Sequence, residues 1–349
     1  MHILGILCVR NEAAYLLDWL SHVRAAGITH VLAYSNDCAD GTEAMLDRLA
    51  ELGHLTHVPN PGPYDKGGIQ FTALKDAARR AELKRADWIL PLDIDEYINV
   101  HMGAGTLPDL IEALPEATAI TLTWRLFGNA GTVRYEDRPL PARFTRAAPR
   151  VLHWPWRAAM FKTLYRNDGV YRGPGVHRPR GPKPDRIAEA RWFDGSGRAL
   201  DAQFAERRIF SDFGQDNHAL AQLNHYPLAS MEEYVLKADR GRAVHSDDLL
   251  GLDYWVERNF AAEEDRSLDR LAPRAAEIRA ELAEDPTLAR LHAEAVAWRR
   301  AHFEALMLQE PYRALMGRLL MAPLSREVSA ESARTLKAYG LKARELGRD

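Results

Sequence analysis

Asp87-Trp88-Ile89-Leu90-Pro91-Leu92-Asp93-Ile94-Asp95-Glu96-Tyr97-Ile98-Asn99 is an apolar, strand-like run that breaks into three carboxylates. Alternation along an extended chain places Asp93 and Asp95 on one face. Two hard oxygen donors at the carboxyl end of a strand suit Mg²⁺ or Mn²⁺ and leave room for phosphate oxygens and water. The carboxyl edge of an open α/β sheet is also where ligands usually bind. The same residues would serve equally well to stop a strand and solvate a turn, so the flanking chain decides between the two readings.

Before this run, strand alternates with helix. Ile3–Val9 is continuously apolar, the pattern of a strand buried on both faces. Asn11 is placed to cap the next helix, with Glu12 in its first turn. Leu16, Trp19, Leu20 and Val23 give that helix one apolar face, which ends at Gly27. A second strand is expected at His30–Tyr34, then a polar turn, Ser35–Thr42, in which Asp40 suits a cap for a helix over Thr42–Leu52. A short strand at Leu55–Val58, a Pro/Gly loop over 59–68 and a long helix over 69–86 bring the chain to the strand carrying Asp93. This alternation implies a mostly parallel α/β sheet with right-handed crossovers. Pro91 removes a ladder donor and belongs where pairing is already ending.

Composition bounds the rest. The 349 residues suffice for one large domain and a smaller one. Contents of 46% hydrophobic and 27% charged residues are those of a globular chain, and a net charge of −3 gives no sign of a nucleic-acid partner. Cys8 and Cys38 have no metal-type spacing and read as reduced, packed thiols. Met1-His2-Ile3-Leu4-Gly5 lacks the basic and long apolar regions of a signal peptide. No uncharged stretch approaches the roughly 20 residues that span a bilayer. A soluble, cytoplasmic protein is the expectation.

Beyond residue 118 the character changes. Ala119–Phe127 is a further strand, and Trp154–Tyr165 holds shorter β-like pieces. Between Arg143 and Arg191 there are twelve Lys/Arg against three Asp/Glu, interleaved with Trp154, Trp156, Tyr165, Tyr171 and Trp192. Such a segment can neutralise phosphates and stack on sugars or bases, or be a solvated loop region whose aromatics simply pack. Helices are expected at 232–239, 254–268, 273–282 and 287–308. In the last, Leu288, Leu291, Ala295, Trp298, Phe303 and Leu306 form a face for the N-terminal domain or for a second subunit.

Four pieces in order carry a family resemblance. Arg10-Asn11-Glu12 follows the first strand; Ser35 to Thr42 ends in Asp-Gly-Thr; Asp93-Ile94-Asp95-Glu96-Tyr97 follows; Leu223-Asn224-His225-Tyr226-Pro227 closes the series, trailed by Ser230, Glu233, Lys237, Arg240 and Gly241. Together they resemble the bacterial family 2-like glycosyltransferases, and the related family 92, of the GT-A superfamily. The resemblance covers about residues 1–245. It implies a GT-A-like, mostly parallel sheet flanked by helices, of the nucleotide-diphospho-sugar transferase type, with an α-helical C-terminal extension over 246–349. It also implies a hexosyltransferase-like enzyme, suited to polysaccharide biosynthesis. Such an enzyme moves sugar from a nucleotide-sugar donor to a glycan or lipid-linked saccharide acceptor, by inversion, with Mn²⁺ or Mg²⁺. Peripheral membrane contact and oligomerisation through the C-terminal helices are compatible with it. The second-strand loop departs from the family, which commonly has acidic residues there, one of them reading the nucleobase. Ser35 and Asn36 take those places. Asn36 offers both a donor and an acceptor to a uracil edge, so a UDP-sugar is the default donor.

The resemblance and the chemistry suggest roles. Asp95 is expected to coordinate the metal, Asp93 to ligate it or contact the ribose, and His225 to supply a third ligand, with His177 in its Gly/Pro loop as the runner-up. Arg10, Glu12, Asn36 and Asp65 are expected at the nucleoside, Lys66 and Gln70 at a helix start that favours anions, and Lys162 and Arg166 at the diphosphate. Inverting transfer needs a base near the acceptor hydroxyl, and Asp212 and Asp216 precede His225. Glu12 would serve equally as a helix-dipole partner, and His225 as a core imidazole. A nucleotidyltransferase on a related fold, or a non-catalytic carbohydrate-binding or scaffold protein, are the competing classes. A phosphate-ester hydrolase would want a small hydroxyl residue where Tyr97 stands.

Overall fold

The computed structural model describes residues 1–64, 67–241 and 250–347. Its main sheet contains β1 (Ile3–Val9), β2 (His30–Ser35), β3 (Thr56–Pro59), β4 (Trp88–Leu92), β5 (Glu96–Val100), β6 (Ala119–Leu126), β7 (Phe161–Arg166), β8 (Trp192–Asp194) and β9 (Ala221–His225). They lie in the order β3-β2-β1-β4-β7-β6-β9-β5, with β8 beside the first half of β6. β3, β2, β1 and β4 are parallel. β7 is antiparallel to both β4 and β6, and β9 is parallel to β6. The two inversions around β7 cancel, so β1, β2, β4, β6 and β9 all end at one edge.

The residues explain the elements. β1 is apolar throughout because both its faces are covered. Ile3, Leu7 and Val9 enter one core cluster, Leu4 and Ile6 the other. Pro91 stands opposite Ile6 on the β1 side, while the ladder to β7 reaches only Trp88 and Ile89. The missing donor therefore falls where that pairing has ended. The helices of nine residues or more among the described residues are α1 (Ala13–Ala25), α2 (Thr42–Glu51), α3 (Ile69–Ala77), α4 (Met231–Arg240), α5 (Ala272–Ala283), α6 (Pro286–Met307), α7 (Glu310–Met321) and α8 (Ala330–Glu345). Leu16, Trp19, Leu20 and Val23 of α1 are buried as their spacing demands. Trp19 does more than pack: its indole nitrogen donates to the backbone oxygens of Asp93 and Glu96, both at 3.2 Å. Losing a buried Trp typically costs about 3–5 kcal/mol, and here it would also free the loop between β4 and β5.

Three local expectations are corrected. Asn11 does not cap α1; it sits at positive φ and accepts from the backbone of Ala39 at 2.7 Å. The α1 start is satisfied instead by Asp40, which accepts from Ala13 N–H at 2.9 Å and from Thr42 N–H at 3.0 Å, serving two helix starts at once. The helix expected over 69–86 breaks after Ala77, where i→i−3 bonds from Arg79 and Arg80 close it and a short helix, Ala81–Arg85, follows. The helix expected over 254–268 stops at Val256. Tertiary demand outweighs helical periodicity there: the Asn259 side chain accepts from Asn129 N–H at 2.8 Å, and Phe260 is buried against Gly128. A Cβ at Gly128 would lie 2.1 Å from the Phe260 oxygen, so only glycine fits.

The C-terminal helices are part of this body. α5 and α6 pack on α1, α6 also on α2 and α4, and α7 on α4. Leu288, Ala295, Val296 and Leu306 of α6 are buried, so its apolar face meets α1, α2 and α4. α8 buries little beyond Ala333. No helix of the described residues is long and apolar enough to cross a membrane. Cys8 and Cys38 are free thiols, and burial pushes Cys8 up to about 12, which leaves it unreactive.

Candidate active site

At the carboxyl edge the strand ends line a cleft of about 420 Å³. Arg10 and Glu12 come from the turn after β1, Asn36 follows β2, and Gln70 stands on the first turn of α3. Asp93 and Asp95 follow β4, Trp124 lies near the end of β6, and His225 ends β9. Lys237 and Arg240 of α4, then Tyr254 and Arg258, form another wall, while Arg157 and His177 complete the rim. The segment after residue 250 thus contributes directly to the cleft.

Each carboxylate of the Asp-x-Asp pair has its own lysine. Asp93 Oδ2 accepts from Lys162 Nζ at 2.8 Å and Oδ1 from Gln70 Nε2 at 3.0 Å. Asp95 Oδ2 accepts from Lys237 Nζ at 2.7 Å, and His225 Nε2 stands 3.7 Å away. Burial opposes ionisation of Asp95, yet the Lys237 ammonium and His225 hold its carboxyl far below the usual carboxylate range. Burial alone would lower Lys162 and Lys237; Asp93 and Asp95 raise them above their ordinary values. Glu96 is fully buried beneath this pair. It accepts from the Asp93 N–H at 2.8 Å and from the Trp124 indole at 2.6 Å, with Lys162 at 3.6 Å. Burial pushes its carboxyl up to about 8 against the pull of Lys162. Its role is to fix the loop and the tryptophan.

Asp93, Asp95 and His225, the residues expected at a metal, all reach the cleft. Both Asp93 oxygens are engaged, and no three His, Cys, Asp or Glu side chains among the described residues converge to hold an ion. Asp95 and His225 remain, two donors on one wall. Trp124 packs on His225 at 4.3 Å between ring centroids, and His225 Nδ1 is buried without a partner among the described residues. Burial lowers this imidazole's affinity for a proton, against the pull of Asp95.

Other expected residues divide. Arg10, Glu12, Asn36 and Gln70 reach the cleft, although Glu12 is ion-paired with Arg240. Lys162 lies beneath it, held by Asp93 and Glu96. Arg166 is at the opposite end of β7, over the Trp88 ring. Asp212 and Asp216 do not line the cleft. Asp212 is paired with Arg208 beside a separate recess of about 30 Å³, and Asp216 pairs with Arg150 at 3.2 Å and His218 at 3.4 Å. Asp65 and Lys66 lie outside the described residues. His177 is not on a free lid: its backbone oxygen accepts from the Thr163 hydroxyl at 2.8 Å, and its Nδ1 meets the Phe161 oxygen at 3.0 Å. Missed by role were Trp124, Glu96, Tyr254 and Arg258; for Lys237 and Arg240 the Asn-His-Tyr … Lys-x-x-Arg-Gly pattern was the available signal.

A mostly parallel sheet flanked by helices, with a polar cleft and an Asp-x-Asp pair at its carboxyl edge, is a GT-A-like arrangement. Residues 6–169, a little under half of the chain, match the model of glycosyltransferase family 92. Among solved structures the chain is similar to residues 1–349 of S. aureus TarS, at 14% identity and a TM-score of 0.33 over 86% of this chain and 92% of that one. The complex of the same TarS piece with UDP gives 16% identity and a TM-score of 0.33 over 89% and 92%. A CMP:2-keto-3-deoxy-manno-octonic acid synthetase complexed with CTP gives 11% identity and a TM-score of 0.25 over 48% and 75%. No match is found among curated proteins.

Proposed function

We propose that this glycosyltransferase moves a sugar from a nucleotide-sugar, a UDP-sugar by default, to a hydroxyl of a glycan or lipid-linked saccharide, with inversion and with Mn²⁺ or Mg²⁺. The observation that carries the reading is the cleft itself. Its volume is in the range of small-ligand sites. Arg10, Arg157, Lys237, Arg240 and Arg258 line it against Glu12, Asp93 and Asp95, a local excess of cations. That excess suits a diphosphate. Arg10 contributes a buried Nε with no protein partner among the described residues.

The residues have distinct tasks in this scheme. Asp95 and His225 would hold the divalent ion, and phosphate oxygens and water would complete its shell. Bound there, the ion would act as a Lewis acid toward the leaving diphosphate. Asn36, buried after β2, presents its amide to the nucleobase. Arg10, Arg240 and Arg258 meet the diphosphate charge. Gln70 and Lys162 hold Asp93 in place for the ribose, and Trp124, fixed by Glu96, gives the sugar an apolar wall.

A panel of nucleotide-sugars, with and without Mn²⁺, tests this by thermal shift and by release of nucleoside diphosphate. A donor at 100 times its Kd should stabilise the protein by about 2.7 kcal/mol. The shift should need the ion and vanish in Asp95→Ala. No shift and no turnover with any donor in either ion would refute the reading.

A further inference from the structure

Transfer by inversion requires a group that takes the acceptor's proton, and among the described residues the carboxylates of the cleft are all otherwise engaged. Glu12 is paired with Arg240, Asp93 with Lys162 and Gln70, and Asp95 with Lys237. A carboxylate held by a hydrogen-bonded cation is a poor proton acceptor. Asp212 and Asp216 line no part of the cleft.

His177 differs from all of these. Its Nδ1 is 3.0 Å from the Phe161 carbonyl oxygen. A carbonyl can only accept, so Nδ1 carries the proton and Nε2 keeps its lone pair. Nε2 has no protein hydrogen bond among the described residues, and it is not one of the buried unpartnered atoms, so it is open to the cleft that His177 lines. The ring is held edge-on against Trp124, centroids 5.7 Å apart, and its backbone is tied to Thr163. His225 offers no equivalent: its Nε2 faces Asp95 and its Nδ1 is buried.

We propose that His177 is the catalytic base, accepting the acceptor's hydroxyl proton on Nε2. This rests on the donor reading above. As the O–H bond breaks, the oxygen's electron pair forms the bond to the anomeric carbon. The bond from that carbon to the diphosphate oxygen breaks and its electrons leave with the diphosphate. The imidazolium formed then loses its proton to water. Among the described residues, the charged and titratable groups that act most strongly on the ring are Lys162 on β7, Asp93 after β4 and His225 on β9. Burial and the Lys162 ammonium outweigh Asp93 and hold the imidazole down at about 4, so it enters the reaction neutral.

The test uses the full chain, the nucleotide-sugar it turns over fastest, and water as the acceptor. His177→Gln should lower kcat for nucleoside diphosphate release by about 10²–10⁴-fold while the donor KM stays within about threefold. Imidazole added to His177→Ala should restore turnover without changing donor binding. That rescue separates a lost base from a lost fold. A His177→Gln kcat within about threefold of wild type, a matching loss of donor binding, or no rescue with binding intact would each overturn the assignment. A wild-type chain that turns over no nucleotide-sugar would instead refute the donor reading, and this assignment with it.

Discussion

Arg143→Met asks whether the C-terminal helices and the catalytic sheet are one energetic unit. The Glu233 carboxylate, at the start of α4, accepts from both Arg143 Nη atoms at 2.8 and 2.7 Å. It also accepts from the Tyr15 hydroxyl of α1 at 2.5 Å and from the Ser230 N–H at 2.9 Å. Arg299 of α6 donates to that same tyrosine oxygen at 2.8 Å. The paired side chains are only 3% and 2% exposed, so water cannot replace a lost partner. Breaking such a pair from one side costs about 3–5 kcal/mol, and the nearby Arg299 charge argues for the lower end, about 3. Changing both, Arg143→Met with Glu233→Leu, leaves no stranded carboxylate, keeps Glu12 4.0 Å from Arg299, and should cost mainly the lost capping box, about 1 kcal/mol. Urea unfolding measures both through the midpoint at constant slope. Burial opposes ionisation of Glu233, but Arg143 holds its carboxyl below the ordinary value. Its contribution is therefore present above the unfolded pKa of about 4.3 and is lost as pH falls through the depressed folded value. Arg143→Met should flatten that acid limb. A cost below about 1 kcal/mol, or a double variant no better than Arg143→Met, would refute the reasoning.

Two further perturbations follow from the same contacts. Lys237→Met removes the ammonium 2.7 Å from Asp95; we expect a loss of about 1–2 kcal/mol in stability and about tenfold weaker donor binding, read by urea unfolding and calorimetry. Deleting residues 272–349 uncovers Leu268, Leu271 and the α1 face that meets α5 and α6, and should give aggregates by size-exclusion chromatography; a monomeric product that still binds donor would show that the helices are dispensable.

The legible part of this molecule is the part written in local periodicity. Apolar runs at β1 and β4, the spaced leucines of α1 and α2 and the Asp-x-Asp break can each be read within about ten residues. Partnership was less accessible. Asp93 and Asp95 are two residues apart, but their lysines are 69 and 142 residues away, and only family resemblance drew Lys237 into view. Glu96 was given no role of its own; it begins β5 and is buried, because Trp19, Trp124 and the Asp93 N–H anchor the loop around it. Asp212 and Asp216 were chosen for their position before His225. Their cations, Arg208 and Arg150, turn them elsewhere. The helical spacing over 254–268 is real as a pattern, but Asn259 and Phe260 are required at Asn129 and Gly128, and the chain leaves the helix to deliver them.

The two lysines explain why this edge of the sheet can hold adjacent carboxylates at all. Two like charges two residues apart in the turn between β4 and β5 repel one another. Here each is matched by an ammonium from a different element, Asp93 by β7 and Asp95 by α4. β7 reaches Asp93 because it is the antiparallel insertion between β4 and β6. α4 reaches Asp95 because Glu233, Arg143 and Tyr15 pin its first turn, and because α6 and α7 cover its far side. The charge balance of the cleft therefore depends on contacts well outside it.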